Sequence, residues 1–322
     1  MQYRKLGRTG LTVSEIGFGA WGIGGDMWRG SDDAESFRAL HAAVDMGMTL
    51  IDTALDYGKG HSEHIVGRFL KERSEHVLVA TKVPPKNRLW PARAGTSISD
   101  VFPTDYVVAC AETSLRNLER ETIDLLQLHV WLDDWTERDE WKSALQHLKE
   151  EGKIRFAGIS INDHQPSNAL RVAETGLIDV FQVIYNIFDQ TPEKELFPCC
   201  KKHGIGVIAR VPFDEGSLTG LVTSKTKFPE EDWRNDYFKG DRKAEVERRV
   251  AKLGKLLGSE AASLPELALR FCLHADAVSS VIPGMRSASR VRANARISDG
   301  RALSRELLEE LKEHAWSKNF YD

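Results

Sequence analysis

Residues 123–160 read IDLLQLHVWLDDWTERDEWKSALQHLKEEGKIRFAGIS, and this stretch decides the fold. It opens on the apolar run 123–128, passes into a helix predicted over 137–151, and closes on a second apolar run, 154–159. Strand, helix and strand in that order read as a parallel β-α-β unit, since only a crossover connection returns the chain to the same end of a sheet.

The alternation continues in both directions. Upstream come strand 48–52, helix 62–72, strand 77–81 and helix 104–118. Before them lies a helix capped by Ser31 or Asp32, with Phe37, Leu40, Ala43 and Val44 at helical spacing, and a run ending at Gly19. Downstream come helix 166–174, strand 178–183, helix 193–203, strand 206–210, a helix near 264–273 and the run VSSVIPG. Eight strands in this pattern predict an α/β fold, a (β/α)8 TIM barrel forming one domain over 1–322. Two short strands, 2–6 and 11–14, predict an N-terminal β-hairpin, and Ser304 with Leu307, Leu308 and Leu311 predicts an extra C-terminal helix over 304–316. The irregular segments 84–102 and 212–241 each follow a strand, so they should overhang the catalytic face.

Gly17-Phe-Gly19-Ala-Trp-Gly22 offers a rival, because it fits the dinucleotide-binding pattern G-x-G-x-x-G after a strand. In that motif a helix opens at the glycines, whereas the first helix cap here is Ser31 or Asp32. Asp52 also lies about 30 residues on, beyond the ~20 the motif expects. The glycines are better read as turning the chain beneath a ligand.

Composition narrows the partners. The chain has 322 residues, 41% of them hydrophobic, enough for one barrel with a substantial core. Its 44 basic and 48 acidic residues leave a net charge of −4, which gives no general attraction to nucleic acid or membrane. Cys110, Cys199, Cys200 and Cys272 form no C-x-x-C pair and are expected to be reduced. MQYRKLGRTG lacks a signal peptide's apolar core and no run reaches transmembrane length, so a cytoplasmic monomer acting on a small molecule is expected.

Asp52, Tyr57, Lys82 and His129 lie in or just after three of the apolar runs, in LIDTALDY, HVLVATK and DLLQLH. In a barrel they would meet at one mouth. A buried Asp and Lys offset one another's desolvation, and an ammonium beside a phenol stabilises the phenolate, so Tyr57 is the candidate acid. His129 would hold a substrate carbonyl near that phenol. Taken singly, Asp52 could cap a turn and His129 could be a core histidine. A metal site is disfavoured, since no second histidine stands on the right side of Tyr57.

These residues, with GFGAWG at 17–22, IDTALDYGKGHSE at 51–63, EGKIRFAGIS at 151–160 and VIPGMRSASRVRAN at 281–294, resemble the aldo-keto reductases over nearly the whole chain. The resemblance implies an NADP(H)-dependent barrel in which Tyr57 is the general acid and the nicotinamide carries the hydride. It places Ser160, Asn162 and Gln182 at the carboxamide, Arg210 against the ring, and Trp21 and Asp52 nearby. The backbone of Phe213, Gly216 and Leu218 would line the pyrophosphate, and Gly284, Arg286, Arg290 and Asn294 the adenosine end. Two arginines favour NADP(H) over NAD(H), although Arg286 and Arg290, one helical turn apart, could also be a solvated face.

The implied substrate is a carbonyl or the matching alcohol, in a pocket of Trp21, Tyr57, Trp90, His129 and Trp131. Trp90, Trp131 and Trp135 beside Arg93, Asp133, Asp134 and Asp214 would suit a sugar-like carbonyl. The alternative is an NADPH-binding regulatory or sensor subunit with little turnover.

Overall fold

The computed structural model describes residues 1–27 and 30–316. Strands β1 (Tyr3–Lys5) and β2 (Thr12–Ser14) form the predicted antiparallel hairpin. Eight further strands follow: β3 (Phe18–Gly19), β4 (Leu50–Asp52), β5 (Leu78–Val83), β6 (Ile123–Leu128), β7 (Ile154–Ser160), β8 (Val180–Ile184), β9 (Gly206–Arg210) and β10 (Val278–Val281). Each pairs in parallel with its sequence neighbour, and bridges Ile16↔Val281 and Gly19↔Gly284 join the last strand to the first, closing a (β/α)8 barrel. The chains approach so closely at this seam that a Cβ on Gly19 would stand 2.7 Å from the Ile282 carbonyl oxygen, so only glycine fits.

The period-two alternation of a strand separates the floor of the barrel from its mouth. Leu50, Leu78, Leu125, Val180 and Ile208 pack in one buried cluster with Leu6 and Val13 of the hairpin, which plugs the N-terminal end. Two or four residues later on the same strand faces come Asp52, Lys82, Gln127, Gln182 and Arg210, so each face turns polar toward the C-terminal end.

The first helix, Asp33–Asp45, is capped by Asp32, whose side chain accepts from Glu35 N. Only a 3-10 turn, Trp21–Ile23, follows the glycines, which removes the Rossmann rival. The predicted helix 166–174 splits into a 3-10 turn, Pro166–Ala169, and a short helix, Leu170–Glu174. The final helix, Arg305–Lys312, is capped by Ser304 and buries Leu307 and Leu311. Two helices of eight residues or more escaped prediction, Arg242–Leu253 and Ala288–Ala295, as did the single turns Ile98–Val101 and Arg234–Tyr237. The helix Arg242–Leu253 buries Val246, Val250 and Leu253 on one narrow stripe of a highly charged segment, too weak a pattern to stand out. Among the described residues no helix is long and apolar enough to cross a membrane, and the four cysteines are free.

Candidate active site

The polar ends of the strands meet over a cavity of about 710 Å³. Lys82 Nζ makes three hydrogen bonds, which saturates an ammonium: to Asp52 Oδ2 at 2.7 Å, to the Thr53 carbonyl at 2.8 Å and to the Tyr57 hydroxyl at 3.2 Å. Asp52 Oδ1 accepts from Gln182 Nε2 at 2.7 Å and Gln127 Nε2 at 3.4 Å. Burial works against the Lys82 charge, but Asp52 and then Tyr57 outweigh it and hold the pKa above its ordinary value. Burial also raises the Tyr57 phenol, and the opposing pull of Lys82 only partly offsets it. The phenol is therefore a neutral proton donor, with the cation in place to receive the charge left behind when the proton departs.

His129 follows β6 immediately and packs edge-on to Tyr57, with ring centroids 5.8 Å apart, and to Trp90, also at 5.8 Å. Burial, then the charges of Lys82 and Arg210, push its pKa well below the ordinary value, so the imidazole is neutral. Nδ1 is buried with no hydrogen-bond partner among the described residues. An orphaned acceptor costs less there than an orphaned N–H, which puts the proton on Nε2, on the side of the ring that the cavity reaches. No group of three His, Cys, Asp or Glu among the described residues is arranged to hold a metal.

Tyr57 and His129 share the cavity wall with Ser160, Gln182, Arg210, Gly284, Arg286 and Arg290. Gly22 makes room for the stem of Arg286, since a Cβ there would meet Arg286 Cδ at 2.9 Å. Phe213 and Gly216 are on the wall, and nothing lies within 4 Å of the Cβ position of Gly216 or Gly284, which leaves both open to a ligand. A cavity lined by both a proton donor and guanidinium groups fits a dinucleotide with its nicotinamide beside Tyr57 and a phosphate at the arginines. Ser160 and Gln182 would then hold the carboxamide.

Several expected site residues lie elsewhere. Trp131 is wholly buried and packs edge-on against Trp135 and Trp141, at 5.7 and 5.3 Å, so it belongs to the core behind the pocket. Asn162 touches the cavity, but its amide accepts from Ala92 N and Trp131 N and donates to Ala92 O and Gln165 Oε1. It staples three loops together at the edge of the cavity. Leu218 is buried off the wall with its N–H donated to Phe213 O, and Asn294 is buried in the helix Ala288–Ala295. The carboxylate of Asp214 is committed to Tyr237 and Arg242, and Asp133 caps Arg171 N. Arg93, Asp134 and Trp135 are likewise absent from the wall, so the set expected around a sugar does not assemble.

Other wall residues went unanticipated. Trp233 packs edge-on to Trp21 at 5.3 Å, and its backbone N–H donates to the Met27 carbonyl at 3.1 Å, tying the 212–241 segment to the first loop. Arg234 joins Arg286 and Arg290, and Asp163 and Glu215 flank Arg210. Gln127, off the wall but bonded to Asp52, had a visible signal, being the one amide in the strand IDLLQL.

The family model described as the aldo/keto reductase family matches residues 15–315. Aldo-keto reductase YhdN of Bacillus subtilis is 32% identical, with 92% of this chain and 89% of that protein covered. The NADH-specific methylglyoxal reductase of Escherichia coli is 30% identical, covering 97% of this chain and all of its own length, 100%. Among solved structures, the glycerol dehydrogenase AKR11B4 of Gluconobacter oxydans superposes with a TM-score of 0.79 at 32% identity, over 97% of this chain and 94% of that one. By sequence and barrel alike, this chain belongs to the aldo/keto reductase family.

Proposed function

We propose that the chain catalyses reversible, NADP(H)-dependent reduction of an aldehyde or ketone to the alcohol. The observation that carries this reading is the contact of Lys82 Nζ with both Asp52 and the Tyr57 hydroxyl beside a neutral His129. A carbonyl oxygen between Tyr57 and His129 Nε2 would accept from both. His129 holds it without competing for the proton, and Tyr57 donates while Lys82 stabilises the phenolate that forms. A bound nicotinamide supplies the hydride in this direction and accepts it in reverse. Trp21 and Trp90 wall the reacting end.

Arg286 and Arg290 on the cavity wall support NADP(H), because guanidinium groups match a 2′-phosphate bidentately. One relative bears an NADH-specific name, so this choice belongs to the chain's own arginines. The test is NADPH oxidation with a panel of carbonyls, wild type beside Tyr57→Phe, with cofactor binding measured separately. Turnover lost in the variant while binding persists supports the reductase. Tight binding without turnover on any carbonyl would favour a sensor subunit.

A further inference from the structure

Arg210, at the end of β9, lines the same cavity as Tyr57 and His129. Its guanidinium is held from behind: Nη2 donates to the Ile161 carbonyl at 3.0 Å and to Asp163 Oδ1. The Arg210 charge acts on both reacting groups, opposing protonation of His129 and favouring ionisation of Tyr57. A ring able to pass hydride to a carbonyl held between those two side chains stands within reach of the same charge. That ring is neutral when reduced and carries a positive charge when oxidised.

We propose that Arg210, with its charge only partly compensated by Asp163, discriminates between the reduced and oxidised forms of the cofactor and weakens binding of the oxidised one. This rests on the nicotinamide reading above. Like charges at close range in a partly buried site change relative affinity by about tenfold or more, even after partial compensation. Reduction then ends with a cofactor that the site expels.

Glu215 makes the discrimination pH-dependent. It sits on the cavity wall in a left-handed turn, with φ 45° at Asp214, 54° at Glu215 and 104° at Gly216. That turn is anchored where the Tyr237 hydroxyl donates to Asp214 Oδ1 at 2.7 Å and Arg242 Nη2 donates to the Tyr237 oxygen at 2.6 Å. Burial, then the neighbouring Asp163 and Asp214, raise its pKa to about 8, against the opposing charges of Arg210 and Arg234. Glu215 is protonated at neutral pH and leaves Arg210 less compensated. Above pH 8 its charge appears and the penalty on the oxidised ring falls.

The experiment is equilibrium binding of NADP+ and NADPH to the full chain by fluorescence, at pH 7 and pH 9. The readout is the ratio of the two dissociation constants, in which effects common to both forms cancel. Wild type should bind NADPH about tenfold more tightly than NADP+ at pH 7, and severalfold less selectively at pH 9. Arg210→Gln should bring the ratio near one at both pH values. Glu215→Gln should keep the pH 7 ratio and lose the drop at pH 9. An unchanged ratio in Arg210→Gln, or a pH trend that survives in Glu215→Gln, overturns the proposal while leaving the reductase reading standing. Failure of wild type to bind either form overturns both.

Discussion

Lys82 Nζ stands 2.7 Å from Asp52 Oδ2, with the Lys82 side chain wholly buried and that of Asp52 only 4% exposed. Neither charge could be kept there without the other, so the pair belongs to the stability of the barrel as well as to its chemistry.

Asp52→Asn and Lys82→Met should each destabilise the protein by about 3–5 kcal/mol, because each strands one buried partner. The double variant should recover most of that loss while remaining inactive. Urea unfolding followed by circular dichroism measures all three. A double variant no more stable than the singles would contradict the pairing argument.

Activity should depend on pH in opposite ways for the two directions. With its pKa raised above the ordinary value near ~10, Tyr57 stays protonated across the neutral range, so the chemical step of carbonyl reduction, followed in a single turnover, should be flat from about pH 6 to 9. Alcohol oxidation needs the phenolate and should climb through the same range without levelling off. His129 is held well below its ordinary ~6.5 and should add no inflection there. Because its folded pKa is depressed, the stability it contributes is present above ~6.5 and lost as pH falls toward the folded value. The acid-side loss should shrink in His129→Asn.

The site was legible in the sequence where it sits on strands. Asp52 and Lys82 end apolar runs, and the alternation that buries Leu50 and Leu78 turns those two side chains to the same interior. Legibility fell where the chain leaves the strands. Trp131 lies two residues beyond His129, but the turn after β6 sends one ring to the cavity and the other into the core. The hydrogen bonds of Asn162 to Ala92 and Trp131 were hidden for the same reason, since those partners come from loops whose paths depend on tertiary packing. Trp233 reaches the wall through contacts with Trp21 and Met27, each more than two hundred positions away.

Arg286→Ala with Arg290→Ala should raise the dissociation constant of NADPH by about tenfold or more and leave that of NADH nearly unchanged. Calorimetric titration with each cofactor checks it. Equal loss for both would show that these arginines do not read a 2′-phosphate.

Trp233→Ala removes the edge-on contact with Trp21 and loosens the tie to the first loop. Cofactor should then leave severalfold faster, as seen by stopped-flow displacement, with little change in the association rate. An unchanged departure rate would mean that the tie does not restrain the ligand.

The central claim is that hydride passes directly from cofactor to a carbonyl held by Tyr57 and His129. Single turnover with NADPH deuterated at C4 on the transferred face, followed by mass spectrometry of the alcohol, tests it most directly. The account predicts one deuterium on the former carbonyl carbon in wild type and no labelled alcohol in Tyr57→Phe. Alcohol formed without the label, or formed at an undiminished rate by the variant, would contradict it.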